Sequence, residues 1–186
     1  MRIEPREFTL PDGKILTVRS VEGKDAEAHI QFKCTTSGET HFMARYPEEE
    51  CSYDDMERVR EGLTACEASP VNFEIGVYDD RGEQVGGIGV TQIRPHLKYR
   101  HRAVMGISIL KKYWGCGLGS FLMQIAVEQT AANGFEQLEL GVFEDNVRAI
   151  ALYEKFGFAK YGVSPRAFKL KDGTYRDEII MVRMLK

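Results

Sequence analysis

From Ile15 to Val21 apolar and polar residues alternate, the period of a half-buried strand, and a helix is predicted over Lys24 to Thr36. A second helix is predicted over SYDDMERVREGLTACEAS, with Ser52 or Asp54 at the cap position and Met56, Val59, Leu63 and Cys66 at helical spacing. The period then changes. VNFEIGVYDDRGEQVGGIGVTQI, residues 71–93, reads as two strands joined around Asp79 to Glu83, an antiparallel hairpin. AVMGISIL at 103–110 reads as another strand, running into glycines at 115, 117 and 119. Leu118, Phe121, Leu122, Ile125 and Ala126 then fall at offsets 0, 3, 4, 7 and 8, a helix with one buried face. Gly134 can take the left-handed conformation that stops it. In EQLELGVF, residues 136–143, Leu138, Leu140 and Val142 share one face of a strand and Glu139, Gly141 and Phe143 the other. Residues 103–143 therefore read as a parallel, right-handed βαβ unit. Asp145 or Asn146 caps a helix to about Phe156, and strands around 157–169 and 178–185 flank Asp172-Gly173.

This order predicts an α/β fold: a single domain over 1–186 with a mixed, mostly antiparallel central sheet and helices on both faces. With 186 residues, 43% of them hydrophobic, the chain has a core large enough to need no covalent staples. No run approaches the roughly 20 apolar residues of a bilayer span. The N-terminus MRIEPREFTLPDG lacks the apolar core of a signal peptide, so the expected location is cytoplasmic. Cys34, Cys51, Cys66 and Cys116 show no C-x-x-C pair, which predicts free thiols rather than a metal knuckle or a disulfide framework. A net charge of -3 gives no general field for nucleic acid; the basic stretch RPHLKYRHR, 94–102, reads first as a solvated connection and second as an attraction for an acidic substrate or RNA. His96 and His101 lack a third ligand at metal spacing, so no metal is expected. A sheet edge offers a route to a homodimer.

The chemistry centres on YWGCGLGSFL, 113–122. A glycine-lined turn feeding a helix N-terminus presents unpaired amides and partial positive charge to a phosphate. A nucleoside-triphosphate loop would need a lysine after the glycines, and none follows. A dinucleotide fingerprint would need G-x-G-x-x-G; the spacing here is G-x-G-x-G, and too little chain remains for a doubly wound domain.

A second motif lies downstream: Asn146-x-x-Ala149-x-x-Leu152-Tyr153-Glu154-Lys155-x-Gly157-Phe158. Together with Trp114-Gly-Cys-Gly-Leu-Gly-Ser it resembles the GNAT superfamily of acyl-CoA N-acyltransferases. The branch it looks most like contains the ribosomal-protein-alanine and amino-acid acetyltransferases. The resemblance covers about 103–185, tail KDGTYRDEIIMVRML included, and places an acetyl-CoA-binding core at 103–158. It implies an enzyme that transfers an acetyl group from acetyl-CoA, by direct attack, to a primary amine of a small molecule or protein N-terminus. In similar proteins the amides of the loop, here Gly115, Cys116, Gly117, Leu118, Gly119 and Ser120, cradle the pyrophosphate. The strand edge at Ile107, Ser108, Ile109 and Leu110 pairs with the pantetheine arm, and Asn146 anchors that arm from the other side. Tyr153 protonates the departing thiolate, a fitting task for a phenol of pKa near 10.

The chain departs from the family pattern in two places. Trp114 stands where a polar residue is common, and the base glutamate, five residues before the motif asparagine, is replaced by Gly141. Glu139, on the same strand face, is the first candidate for the base, with Glu74, Glu144 and His101 behind it. Cys116 reads as a small residue between glycines rather than a nucleophile. Loss of the base would instead leave a catalytically silent acyl-CoA-binding or sensing module.

Overall fold

A computed structural model describes residues 1–51 and 56–186. The cap position assigned to Ser52 or Asp54 lies outside the described residues. The chain opens with β1 (Arg6–Thr9) and β2 (Ile15–Ser20), then three helices, α1 (Ala26–Glu39), α2 (Pro47–Cys51) and α3 (Met56–Ala68). β3 (Phe73–Tyr78) and β4 (Gln84–Gln92) form the expected hairpin. β5 (Arg102–Ile109), α4 (Leu118–Ala132) and β6 (Gln137–Phe143) form the βαβ unit, and α5 (Val147–Lys155), β7 (Ala159–Lys169) and β8 (Tyr175–Met184) complete the chain. β1 and α2 escape the periodicity argument because four- and five-residue elements are too short to show a period.

Among the described residues the strands form one sheet in the order β1-β2-β3-β4-β5-β6-β8-β7. Only the β5–β6 pair is parallel, as a strand–helix–strand crossover requires. The core fills both sides of the central strands: Phe73, Ile75, Ile88, Val90, Leu122, Met123 and Leu138 are fully buried.

The two faces of the sheet carry different helices. On β4, Gly87 faces Phe32 of α1, whereas Ile109, paired with Gly86 on the opposite face, lies against Gly119 of α4. The parallel ladder itself is short, running only from Arg102–Gln137 to Val104–Glu139. Beyond it β5 and β6 part, and the rest of the β5 edge is left without a strand partner on that side.

The cysteine expectation needs correction. Cys66 and Cys116 are free, but Cys34 is disulfide-bonded. Pairing depends on the tertiary approach of two Cβ atoms, which spacing along the chain does not reveal.

Candidate functional site

The fork between β5 and β6 opens into a cleft of about 900 Å³ that reaches both faces of the sheet. On the α4 face the glycine loop turns sharply, with Gly115 at φ 81° and Gly117 at φ 92°, a region that side-chain-bearing residues avoid. Gly117 is the N-cap of α4 and has no side chain to cap with. The ladder begins when Phe121 N–H donates to Gly117 O at 3.1 Å, so the amides of Leu118, Gly119 and Ser120 precede it. Cations surround this turn. Arg148 lies over the Trp114 ring at 5.0 Å from its centroid, and Lys155 Nζ reaches Ser120 Oγ at 3.4 Å. Trp114 itself donates Nε1–H to Ile109 O at 2.7 Å, pinning the loop to the end of β5. A narrow, glycine-lined turn at a helix N-terminus flanked by Arg148 fits a diphosphate.

The predicted donor-side residues are not all presented equally. Gly115, Gly117, Gly119 and Ser120 line the cleft, as do Ile107, Ser108 and Ile109 along the free edge of β5. Leu110 and Leu118 turn their side chains into the core, and the Leu110 N–H is committed to Val85 O at 3.0 Å. Cys116 is absent from the cleft wall and donates its Sγ–H to Tyr113 O at 3.0 Å. Asn146 lines the cleft while its Oδ1 accepts from Ala149 N at 3.2 Å, capping α5. That cap holds α5 so that Tyr153, 7% exposed, reaches the same cavity. Burial pushes the Tyr153 phenol up to about 12.

The base candidates separate clearly. Glu139 is not brought to the cleft. Its carboxylate accepts both Arg102 Nε at 2.5 Å and Nη2 at 2.8 Å, and the Tyr161 hydroxyl at 3.0 Å. Desolvation is the largest influence on it and raises its pKa, but the bonds from Arg102 and Tyr161 together outweigh that and hold it below the usual carboxylate range. This pair spans the parallel ladder diagonally, from Arg102 on its first rung to Glu139 on its last. Glu139→Gln is therefore expected to cost about 1–3 kcal/mol of stability. Because the folded pKa is depressed, that contribution is present above the unfolded carboxyl pKa and disappears as pH falls through the folded value. Thermal unfolding of both proteins at pH 7 and under acid conditions checks this. Glu144 is exposed and accepts from Asp177 N at 3.0 Å, and His101 lies outside the cleft wall.

Glu74 is different. It projects from β3 on the α1 face, folded over Gly89, where a Cβ would collide with its carboxylate. It lines the cleft with His29 and Lys33 of α1. Burial raises its pKa to about 7, against a partial opposing pull from Lys33. His29, bonded to Gln84 Oε1 at 3.2 Å, is depressed to about 4 by burial and is a neutral imidazole at physiological pH.

Farther along the acceptor side, Phe42, Phe143 and Phe168 line the wall, with Phe143 and Phe168 stacked at 3.7 Å. The loop bearing Phe42 is tied down by His41 Nε2 to Asp145 Oδ2 at 3.0 Å and by Tyr46, whose hydroxyl accepts from Lys171 N at 2.9 Å. Glu178 of β8 also lines the cleft, its carboxylate lying where a Cβ on Gly141 would stand. No residue of the basic stretch 94–102 does. Among the described residues no group of three His, Cys, Asp or Glu is placed to hold a metal, and no helix is long and apolar enough to cross a membrane.

The family model described as the acetyltransferase (GNAT) family matches residues 35–158, two-thirds of the chain and both motifs. The chain belongs to the GNAT acetyltransferase family. Among its relatives is the Escherichia coli (strain K12) L-amino acid N-acetyltransferase, 33% identical over 106 residues, which cover 55% of this chain and 63% of that one. The chain thus spans less than two-thirds of that relative's own length. A solved GNAT acetyltransferase from Streptococcus pneumoniae superposes with a TM-score of 0.83 at 28% identity, covering 91% of this chain and 99% of its own. A Sinorhizobium meliloti phosphinothricin acetyltransferase, solved in complex with AcCoA, shares the fold: TM-score 0.76, 19% identity, coverage 91% and 88%. The mixed sheet of this chain, with its one forked parallel pair, matches the GNAT acyl-CoA N-acyltransferase fold.

Arg148, Lys33, His29 and Glu178 were not singled out by sequence reasoning. Arg148 lies inside the Asn146–Phe158 motif and a cation beside a phosphate loop was its available signal. The others depend on which face of the sheet they reach.

Proposed function

We propose that this protein is an acetyl-CoA-dependent N-acetyltransferase in which Glu74, not Glu139, is the general base. Residues 103–158 form the donor half of the site and the α1 face supplies the acceptor half. The observation that carries the reading is the two-sided fork: a diphosphate-binding turn on one face, and on the other a carboxyl group poised near neutrality.

The residues divide the work as follows. Amides of the turn at 115–120, with Arg148, hold the diphosphate of acetyl-CoA, and the free β5 edge at Ile107 to Ile109 aligns the pantetheine arm. An N–H of that edge stabilises charge on the thioester oxygen. Glu74 accepts a proton from the acceptor ammonium, directly or through water, freeing the nitrogen lone pair to attack the carbonyl carbon. The C–N bond forms as the C–S bond breaks. Tyr153, kept in its phenol form by burial, donates a hydrogen bond and then a proton to the departing sulfur, and it is reprotonated through solvent as the nitrogen sheds its second proton to leave the neutral amide. Both Gly89 and Gly141 matter here, because a side chain at either would occupy the acceptor corridor.

A cytoplasmic site of action follows from the donor, which is an intracellular metabolite. The disulfide at Cys34 argues the other way, since that compartment keeps thiols reduced.

Steady-state release of free thiol from acetyl-CoA across a panel of primary amines tests the function. Tyr153→Phe is expected to lower kcat about 10- to 100-fold, the worth of one hydrogen bond to a developing charge. Turnover with no amine, together with retained coenzyme A binding, would return the protein to the silent-module reading.

A further inference from the structure

We propose that Glu178 is a specificity-determining residue for an acceptor carrying a second cationic group, which it holds beside the aromatic wall while the reacting amine faces Glu74. The inference rests on the acetyl-transfer reading of the cleft and names the class of amine.

Glu178 is a carboxylate with nothing to do in the fold. Among the described residues no hydrogen bond or ion pair engages it. The cation beside it is already committed, because Arg176 Nε donates to Asp145 at 3.1 Å, and the neighbouring Asp177 caps Arg166 N at 2.7 Å. Yet the side chain lines the cleft, next to Phe143, its partner in register across β6 and β8. The carboxylate is half-buried in the cleft wall beside Phe143 with no counter-charge of its own, and a cationic ligand lying against the aromatic wall would supply one.

The corridor between the two carboxylates is built for an extended molecule. Glu74 pairs with Gly89 on β4, and Gly89 pairs with Gly106 on β5. Gly106 and Gly141 each stand two residues past the last rung of the parallel ladder, on the face that carries Val104 and Glu139. A Cβ on Gly106 would meet nothing within 4 Å. Three glycines therefore floor the path from Glu74 to Glu178, without a side chain to interrupt it. Crossing from β4 to β6 takes at least two strand spacings, about 10 Å or more, because β5 and β6 have parted at this level. With each ammonium about 2.8 Å from its carboxylate, roughly 5–8 Å separates the nitrogens, the span of a chain of about three to five carbons.

The acceptor class is thus a diamine or a basic amino acid. Lys33, beside Glu74, offers an anion partner if the acceptor bears a carboxylate. The basic stretch 94–102 lies outside the cleft wall, and its Arg102 is paired with Glu139.

The test compares matched acceptors on the full chain: 1,5-diaminopentane against pentylamine, and lysine against norleucine, by thiol release from acetyl-CoA. The wild type is expected to favour the dication by about 30- to 100-fold in kcat/KM, the fold-change of one close charge pair. Glu178→Gln is expected to erase that preference through KM for the dication. Equal kcat/KM within each pair for the wild type overturns the inference while leaving acetyl transfer standing, and needs no variant to fold. A uniform fall in kcat on every amine in Glu178→Gln, with a displaced pH profile, also overturns it, making Glu178 a base. Failure on all four amines would instead count against the acetyl-transfer reading itself.

Discussion

Replacing Glu74 by glutamine is expected to slow acetyl transfer about 10²- to 10⁴-fold at neutral pH, the usual worth of a positioned general base, while coenzyme A still binds. The size follows from where the carboxyl sits. Folded over Gly89 and facing Lys33, it is pushed by burial from the usual 4.5 to about 7, so at working pH it is half ionised and matched to proton abstraction. For the wild type, kcat/KM should climb with pH below that value and level off above it. The glutamine variant should lose this limb. A stability consequence runs in parallel. Because the folded pKa lies above the unfolded one, the protonated carboxyl favours folding at low pH, and that advantage is lost as pH rises from about 4.5 through about 7. Glu74→Gln should therefore unfold at a higher temperature than the wild type above pH 7. Calorimetric melting at pH 5 and pH 8, alongside the pH–rate profiles, measures both. A gain in stability with a loss of rate is the signature of a group held in a costly state for catalysis.

Gly117→Val should weaken coenzyme A binding about 100-fold or more. At φ 92° a β-branched residue is strained, and relief of the strain turns the first amides of α4 away from the diphosphate. Each charge-assisted hydrogen bond lost costs about 1.5–3 kcal/mol, so two suffice for this fall. There is open room around the new side chain, whose nearest neighbour is Phe8 at 3.8 Å, so the effect comes from the backbone rather than from a clash. Isothermal titration with coenzyme A, beside 3′,5′-adenosine bisphosphate lacking the diphosphate, separates the two contributions. Only the coenzyme should discriminate between wild type and variant.

The proposed donor half of the site is legible in the chain because it is local. The turn at 113–120, the α4 stripe and the Asn146 cap all express themselves within a few residues of sequence. Asn146 caps α5 as its position predicts, and the βαβ unit appears at 102–143. The acceptor half is not local. Glu139 is a candidate base because it shares a strand face with Gly141, but nothing in spacing discloses that Arg102 on the neighbouring strand captures it at 2.5 Å. Glu74 gains its environment from register with Gly89 fifteen positions away, and Glu178 from lying over Gly141 thirty-seven positions earlier. Such pairings are decided by how the sheet assembles. Cys34 is a further case, since no C-x-x-C spacing marks it as disulfide-bonded.

A crystal structure with coenzyme A and a slow amine acceptor would test the central claim most directly. The diphosphate should lie within hydrogen-bond reach of the amides at 115–120, with the sulfur in the β5–β6 fork beside Tyr153 Oη and the amine on the opposite face, one water or less from Glu74. A diphosphate held away from that turn, or an amine that approaches without passing Glu74, would contradict it.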